Sequence, residues 1–386
     1  MSGRTLRIAH VITGLGLGGA EGMLERLLGA LDGGEFGAAV WSLGALGPVG
    51  ERLARRGVPV HALGFGRRLP DPRRFHRLVR ELRAWRPDVV QTWMYHADLL
   101  GGIAASMAGR IPVVWNLRQS TLVRGRTRGT TLAIAKLCAL LSARLPSRIV
   151  SCSEAAAAAH RAFGYDASRL VCIPNGFDLS RFRPDPQARA SLHRELGLED
   201  ATPLVGMIAR FDPQKDHRTF LAAAGLLAAA RPAARFLLCG EGMHAGNAQL
   251  QGWIEAAGVH GRCLLLGPRA DLPRITAALD VATSSARYGE GFPNVIGEAM
   301  ACGVPVVATE VGDSGLILGD CGRLVAPGDP AALAAGWEAL LALPPEARAA
   351  GGLRGRERIA ARFSLAAIAA RYAALYREVA AACPRP

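Results

Sequence analysis

In the stretch Tyr288-Gly-Glu290-Gly-Phe292-Pro-Asn294-Val-Ile-Gly-Glu298-Ala-Met-Ala-Cys302-Gly-Val-Pro305-Val-Val307, two carboxylates stand with seven residues between them. A Gly-Phe-Pro-Asn turn follows the first. Val295, Ile296, Ala299 and Met300 then recur at helical spacing. Gly303 and Pro305 end that helix, and Val304 to Ala308 reads as a buried strand. Glu290 is therefore expected in the loop, Asn294 at the N-cap, and Glu298 on the first turns of the helix. A helix N-terminus carries unpaired N–H groups and about half a positive charge, which suits a phosphate. Ionised carboxylates are acceptors suited to hydroxyl groups. Phosphate and hydroxyls wanted at one place describe a site for a nucleotide sugar.

With 386 residues the chain holds two domains of ordinary size, and with half of its residues hydrophobic it has material for two cores. Its 46 Lys and Arg exceed 32 acids by 14, which favours anionic partners such as nucleotide phosphates or acidic lipid. No basic run interleaved with aromatics supports nucleic-acid binding, and aromatics are only 6%. Eight scattered Cys form no Cys-x-x-Cys pair and have no His at ligand spacing, which argues against zinc and suits a reducing cytosol. The start of the chain runs straight into a strand without a signal peptide's apolar core. The most apolar helix, Thr131 to Leu145, contains Lys136 and Arg144 and is short of the ~20 residues that span a bilayer. The expected location is cytoplasmic, with peripheral attachment to the inner face of the plasma membrane as the further option.

Upstream of the Glu-x7-Glu stretch, a strand at Leu204 to Ala209 is followed by Arg210-Phe-Asp-Pro-Gln-Lys215. A guanidinium and an ammonium five residues apart at a strand's C-terminal end can bracket a diphosphate and neutralise its charge as it departs. Further strands are expected at Phe236 to Gly240, Cys263 to Leu266 and Asp280 to Thr283, with Gly267-Pro-Arg269-Ala-Asp271 between the last two. No Asp-x-Asp pair occurs, so no metal clamp on a diphosphate is expected, and no cofactor.

The first half opens with a strand at Leu6 to Thr13, the loop Gly14-Leu-Gly16-Leu-Gly18-Gly19-Ala-Glu21, and a helix to about Leu31, the first unit of a doubly wound sheet. Gly14-x-Gly16-x-x-Gly19 also matches a dinucleotide fingerprint, which wants a ribose-binding acid at the end of the second strand. That strand, Ala39 to Leu43, ends without one, which weighs against a nicotinamide-dependent oxidoreductase. Strands follow at Val58 to Leu63, Val89 to Trp93, Ile111 to Asn116, Arg148 to Ser151 and Leu170 to Ile173. His96 and Asp98 follow the strand ending at Trp93, where open α/β sheets bind ligands. His96 can bond a sugar hydroxyl or orient an acceptor; Asp98 can orient the imidazole or cap the helix. The helix Pro72 to Trp85 carries five Arg around an apolar face, and Arg124, Arg126 and Arg128 precede the apolar helix. Both can lie against anionic lipid, or simply cover a sheet with solvated Arg. Pro174-Asn-Gly closes the half, and the region to Pro186 reads as a linker.

The string EGFPNVIGEAMACGVPVVAT, the Arg-x4-Lys pair and the Gly-Gly-Ala-Glu loop together resemble the retaining group 1 (family 4) glycosyltransferases, over nearly the whole chain. The resemblance implies the GT-B fold: α/β, two Rossmann-like doubly wound domains facing a cleft, with a C-terminal helix crossing back to the first. The domains would be residues 1–180, acceptor-binding, with the final helix 364–386, and 187–363, nucleotide-sugar-binding. It implies Glu298 on the ribose hydroxyls, Glu290 on the donor sugar, and Gly291, Phe292, Pro293, Asn294 and Val295 lining the sugar–diphosphate pocket. Arg210 and Lys215 would hold the diphosphate, the loop bearing Arg269 would meet the base largely through backbone, and Gly18 and Gly19 would let backbone approach the donor phosphates. Glu21, His96, Asp98 and Arg118 fall to the acceptor, and His96, Arg210, Lys215 and Glu290 to catalysis. The implied reaction is metal-independent, retaining transfer of a hexosyl or N-acetylhexosaminyl group. The donor is a UDP-sugar rather than a GDP-sugar, and the acceptor a glycan or lipid-linked one in bacterial surface polysaccharide synthesis. The rivals are the oxidoreductase, a non-catalytic nucleotide-sugar-binding protein, and a phosphorylase- or epimerase-like relative on the same fold.

Overall fold

The computed structural model describes residues 4–66, 71–119, 122 and 127–383. Short runs rich in Val, Ile and Leu alternate with helices, and the chain divides into two compact units: 1–176 with 365–386, and 177–364.

In the first unit, β1 (Leu6–Ile12), β2 (Phe36–Ser42), β3 (Val60–Ala62), β4 (Val89–Trp93), β5 (Val113–Leu117), β6 (Arg148–Ser151) and β7 (Leu170–Cys172) form a parallel sheet in the order β3-β2-β1-β4-β5-β6-β7. Helices cover both faces, so β4 and β5 are buried at every residue, their Val, Trp and Leu side chains in the cores and Gln91, Thr92 and Asn116 buried with them. Trp41, Trp93 and Trp115 are fully buried in this unit's cores, each such side chain contributing on the order of 2 kcal/mol. The final helix, Leu365–Ala382, belongs to this unit: Tyr372, Tyr376 and Val379 pack with Ile8, Ile12 and Trp93.

In the second unit, β8 (Leu204–Ile208), β9 (Arg235–Cys239), β10 (Cys263–Leu265), β11 (Val281–Ser284), β12 (Val306–Thr309) and β13 (Arg323–Val325) are parallel in the order β10-β9-β8-β11-β12-β13. Each sheet therefore winds outward in two directions from its first strand. The winding reverses between β1 and β4 in one unit and between β8 and β11 in the other. A crevice opens at the C-terminal ends of strands at such a reversal, and ligands of open α/β sheets bind there.

The units divide at Gly176/Phe177 and Ser364/Leu365 rather than at the expected 180, 187 and 364. The reason is Phe177, whose ring is buried in the second core and stacks on Phe292 with centroids 6.0 Å apart. The expected linker is likewise laid onto the second unit. Phe182 is buried, and the Arg356 guanidinium donates to the carbonyls of Leu179 and Phe182 at 3.3 and 3.1 Å. The apolar helix runs Gly129–Leu141, ending earlier than Leu145. Arg124 and Arg126 lie outside the described residues. No helix among the described residues is long and apolar enough to cross a membrane.

Candidate active site

At the reversal in the second sheet, the segments after β8 and β11 meet. Asp212 caps a short turn, Pro213–Lys215, by accepting from the Gln214 N–H at 2.9 Å, and Asp216 caps the next helix by accepting from Thr219. Ser285, directly after β11, donates its hydroxyl to the Lys215 carbonyl at 2.9 Å, and the Arg287 N–H donates to Gln214 at 2.8 Å. These straps bring together two residues far apart in sequence: the Lys215 ammonium donates to the Glu290 carboxylate. Both side chains are largely buried, 20% and 10% exposed, so the pair is screened less than a surface ion pair. Arg210 is not drawn into it. Its guanidinium is 57% exposed and pairs with Asp212 at 3.1 Å. The two cations expected to bracket one anion are thus each held by an acid of the same unit.

Beyond Glu290 the chain turns into the helix Asn294–Ala301. Its N-cap is Pro293, with no side-chain cap bond, so Asn294 is the first helical residue and not the expected cap. A proline needs no acceptor for an N–H, and its fixed φ suits a helix start. Phe292 is a core anchor between Phe177 and Phe363. Two glycines make the loop possible. A Cβ on Gly297 would lie 2.1 Å from the Phe177 ring, and one on Gly312 would lie 2.3 Å from the Glu290 carbonyl. Gly312 also has φ +61°, and Asp313 N–H donates to the Gly291 carbonyl at 2.9 Å. Sequence reasoning missed Gly312, Asp313 and Ser285; a Gly-Asp turn just past β12, at the strand-end side of the sheet, was the available signal. Glu298 lies half-buried on the second turn of the helix.

Arg269 is held by acids of its own unit. Its guanidinium donates to Asp271 at 2.8 Å and Glu195 at 2.7 Å, in a network that Arg274 shares. These bonds hold Asp271 well below the usual carboxylate range. The side chain is occupied in joining two helices, so only its backbone is left for a base.

At the reversal in the first sheet, Gly18 is the extended N-cap of the helix Gly19–Ala30 and, like Gly19, is exposed. Glu21 lies over it: a Cβ on Gly18 would stand 2.4 Å from the Glu21 carboxylate. Partial burial raises the Glu21 pKa, opposed by its own backbone N–H and by the Arg118 charge. Arg118 stacks over the Trp93 ring at 5.0 Å and donates to Asn175 at 2.9 Å, while its buried Nη2 has no hydrogen-bond partner among the described residues. His96 is half-buried and its pKa is lowered by desolvation. It sits in the first turn of the helix Tyr95–Met107, not in a preceding loop.

Asp98 corrects the acceptor assignment. It is fully buried and accepts from the Thr92 hydroxyl at 2.5 Å and the Asn116 N–H at 3.4 Å, with no bond to His96 and no capping role. Burial pushes its pKa up to about 7 against those two bonds. A carboxyl sealed beneath the strands cannot touch an acceptor. Among the described residues no three His, Cys, Asp or Glu cluster in a way that could hold a metal. β2 ends at Ser42, whose hydroxyl donates to Ala45, so no ribose-binding acid stands at its end.

Two units wound 3-2-1-4-5-6 or its one-strand extension, each carrying polar residues at its own reversal, are the architecture of a GT-B glycosyltransferase. Residues 17–181 match the family Glycosyltransferase Family 4, and residues 202–342 match Glycosyl transferases group 1. The chain belongs to the group 1, family 4 glycosyltransferases. It is 33% identical over 221 residues to a D-inositol 3-phosphate glycosyltransferase of Segniliparus rotundus, covering 56% of this chain and 48% of that one. It is 26% identical over 246 residues to the UDP-Gal:alpha-D-GlcNAc-diphosphoundecaprenol alpha-1,3-galactosyltransferase of Escherichia coli, covering 63% of each. The matched part thus spans about half of the first relative's length and under two thirds of the second's. The fold is that of Anabaena HepE, solved in complex with UDP, at TM-score 0.85 and 24% identity over 97% of this chain and 100% of that one.

Proposed function

We propose that the protein is a retaining, metal-independent glycosyltransferase that moves a hexosyl or N-acetylhexosaminyl group from a UDP-sugar to a glycan or lipid-linked acceptor. The observation that carries this is the Lys215–Glu290 pair at the reversal of the second sheet, one turn ahead of a helix N-terminus. A diphosphate arriving there offers Lys215 a more strongly charged partner, and the released Glu290 accepts from sugar hydroxyls. Arg210 swings from Asp212 to the same diphosphate, and the helix N-terminus adds its N–H groups. As the bond to the sugar breaks, these positive groups stabilise charge gathering on the departing diphosphate, the work that a metal does elsewhere. Glu298 takes the ribose hydroxyls and the backbone of the Arg269 loop takes the base. On the first unit, Gly18, Gly19, Glu21, Arg118 and His96 meet the acceptor.

The UDP reading draws support from the Escherichia coli relative, named for a UDP-Gal donor and a diphosphoundecaprenol-linked acceptor, and from HepE, solved with UDP. A lipid-linked acceptor requires the enzyme at a membrane. Between Asp98 and Glu154 the chain has eight Arg and Lys and no acid. In the same region Met107, Leu137 and Leu140 are 54%, 43% and 70% exposed. The neighbouring helix Pro72–Trp85 exposes Arg73, Arg77, Arg80 and Arg83, and Arg83 donates to the Met107 carbonyl at 2.7 Å. Exposed apolar side chains in a stretch rich in cations fit peripheral contact with anionic lipid on the cytoplasmic side.

The test is thermal unfolding with UDP, GDP, ADP and NAD, followed by product analysis with the donor that the stabilising nucleotide indicates. A ligand at 100 times its Kd adds about 2.7 kcal/mol. Stabilisation by UDP, then an axial product from an axial UDP-sugar donor, is the expected result. Stabilisation by NAD alone, or an inverted product, overturns the proposal.

A further inference from the structure

Met94, between β4 and the helix Tyr95–Met107, has φ 71° and ψ 156°. Arg86 and Asp216 also have positive φ, but with ψ of 65° and 56° they lie in the left-handed helical basin that side chains visit at helix ends. Met94 lies outside it, in a region that glycine enters freely and a residue with a Cβ enters only under strain. Such a backbone persists only where its surroundings over-determine it.

Here they do. The Thr13 hydroxyl donates to the Trp93 carbonyl at 3.4 Å, orienting the peptide that precedes Met94. The Met94 N–H donates to the Asn116 carbonyl at 3.1 Å, and the Met94 carbonyl accepts from the Asp98 N–H at 2.9 Å. The buried Asp98 carboxyl closes the set by holding Thr92 of β4 and the Asn116 N–H of β5. Strand, neighbouring strand and first helical turn become one block, with the Gly-rich loop tied to it through Thr13. His96 stands two residues beyond the strained peptide. It has no hydrogen-bond partner among the described residues, so the position of its backbone and the packing around its half-buried ring are what fix where it stands.

We propose that Met94 is a positioning residue whose strained backbone, clamped by Thr13, Asn116 and Asp98, aims His96 at the acceptor side of the first sheet's reversal. The proposal rests on the acceptor role given to His96 above. It makes stability and activity move in opposite directions, which a purely packing role does not.

Met94→Ala removes the thioether but keeps the Cβ and hence the strain; Met94→Gly removes both. Each is made alone and with His96→Ala. Turnover is read as nucleoside diphosphate released from whichever of UDP-glucose, UDP-galactose, UDP-N-acetylglucosamine and GDP-mannose turns over fastest. Relative to Met94→Ala, Met94→Gly is expected to raise Tm by about 2–5 °C. It is also expected to lower kcat about tenfold with donor KM unchanged, and the kcat difference should vanish when His96 is Ala. Equal Tm overturns the strain, and equal kcat overturns the positioning. A Gly-to-Ala kcat difference that survives His96→Ala shows that Met94 does not act through His96. Normal turnover of His96→Ala removes the acceptor role itself, whereas an impaired His96→Ala beside equal Met94 variants leaves that role standing and sinks only this proposal.

Discussion

Replacing Glu290 by Gln is expected to tighten the binding of UDP while weakening that of the UDP-sugar. Lys215 is engaged by Glu290, and UDP must break that pair before the ammonium can reach its phosphates. A hydrogen bond between charged groups contributes about 1.5–3 kcal/mol. With side chains 20% and 10% exposed, some of that is recovered by hydration, so roughly 1 kcal/mol opposes UDP. Gln keeps the shape and an accepting oxygen but not the charge, so UDP should bind about five- to tenfold tighter. The sugar, by contrast, loses a charged acceptor for its hydroxyls, and the UDP-sugar should bind several-fold more weakly than to the parent. Isothermal titration with UDP and with the UDP-sugar reads both arms. A double-mutant cycle with Lys215→Met isolates the pair, because the gain for UDP should shrink to the residual field effect once the ammonium is gone. UDP affinity that is unchanged or lower in Glu290→Gln would refute the idea that Lys215 is the cation awaiting the diphosphate.

Arg210→Ala should lower kcat on the order of 10²-fold with a smaller change in donor KM, because its charge is used most as the diphosphate departs; unchanged kcat removes it from the chemistry. Glu298→Ala should weaken UDP by roughly 1.5–3 kcal/mol in the same titration while sparing a ribose-free diphosphate, and equal loss for both would contradict a ribose contact. Asp98→Asn tests the buried acid. Its folded-state pKa of about 7 stands above the ordinary 3.8, so its contribution is fully present below about pH 4 and is lost as pH rises through 7. His10 and His160, with pKa values lowered by burial to about 3 and 4, work oppositely and lose stability as pH falls below about 6.5. Urea unfolding should therefore show the Asn variant gaining on the parent between pH 4 and 7, by at most about 4 kcal/mol; a pH-independent difference would show the carboxyl is not so perturbed. Finally, Arg73→Glu/Arg80→Glu and Leu137→Ser/Leu140→Ser should each reduce co-sedimentation with vesicles containing phosphatidylglycerol. Equal binding to neutral phosphatidylcholine vesicles, or no effect of the variants, would refute the anionic-lipid face.

Much of the architecture was legible because local pattern and global fold agree. The Val- and Trp-rich stretches Val89–Trp93 and Val113–Leu117 are buried on both faces of a parallel sheet, and the helix Pro72–Trp85 begins at the Asp71 cap and ends at Trp85, as its apolar spacing indicates. Errors fell where side chains from distant segments decide the outcome. The chain near Pro184 and Pro186 has the composition of a tether, yet the Phe177 and Phe182 rings and Arg356 bind it to the second core. Sequence spacing likewise does not reveal that Glu195, 74 residues away, takes the Arg269 guanidinium.

The amino-acid order by itself determined the α/β winding, the Gly-rich and Glu-x7-Glu loops, and the ends of strands where His96, Arg210, Lys215 and Glu290 stand. Hydrophobic period, turn chemistry and motif spacing are local properties, readable over a few residues at a time. Tertiary structure alone decided who touches whom: Lys215 on Glu290 across 75 positions, Asp98 sealed under Thr92 and Asn116, and Met94 forced into a backbone its own residue type disfavours. Burial, ion pairing and strain are fixed by groups that only the folded sheets bring within a few ångströms, and no spacing along the chain encodes those distances.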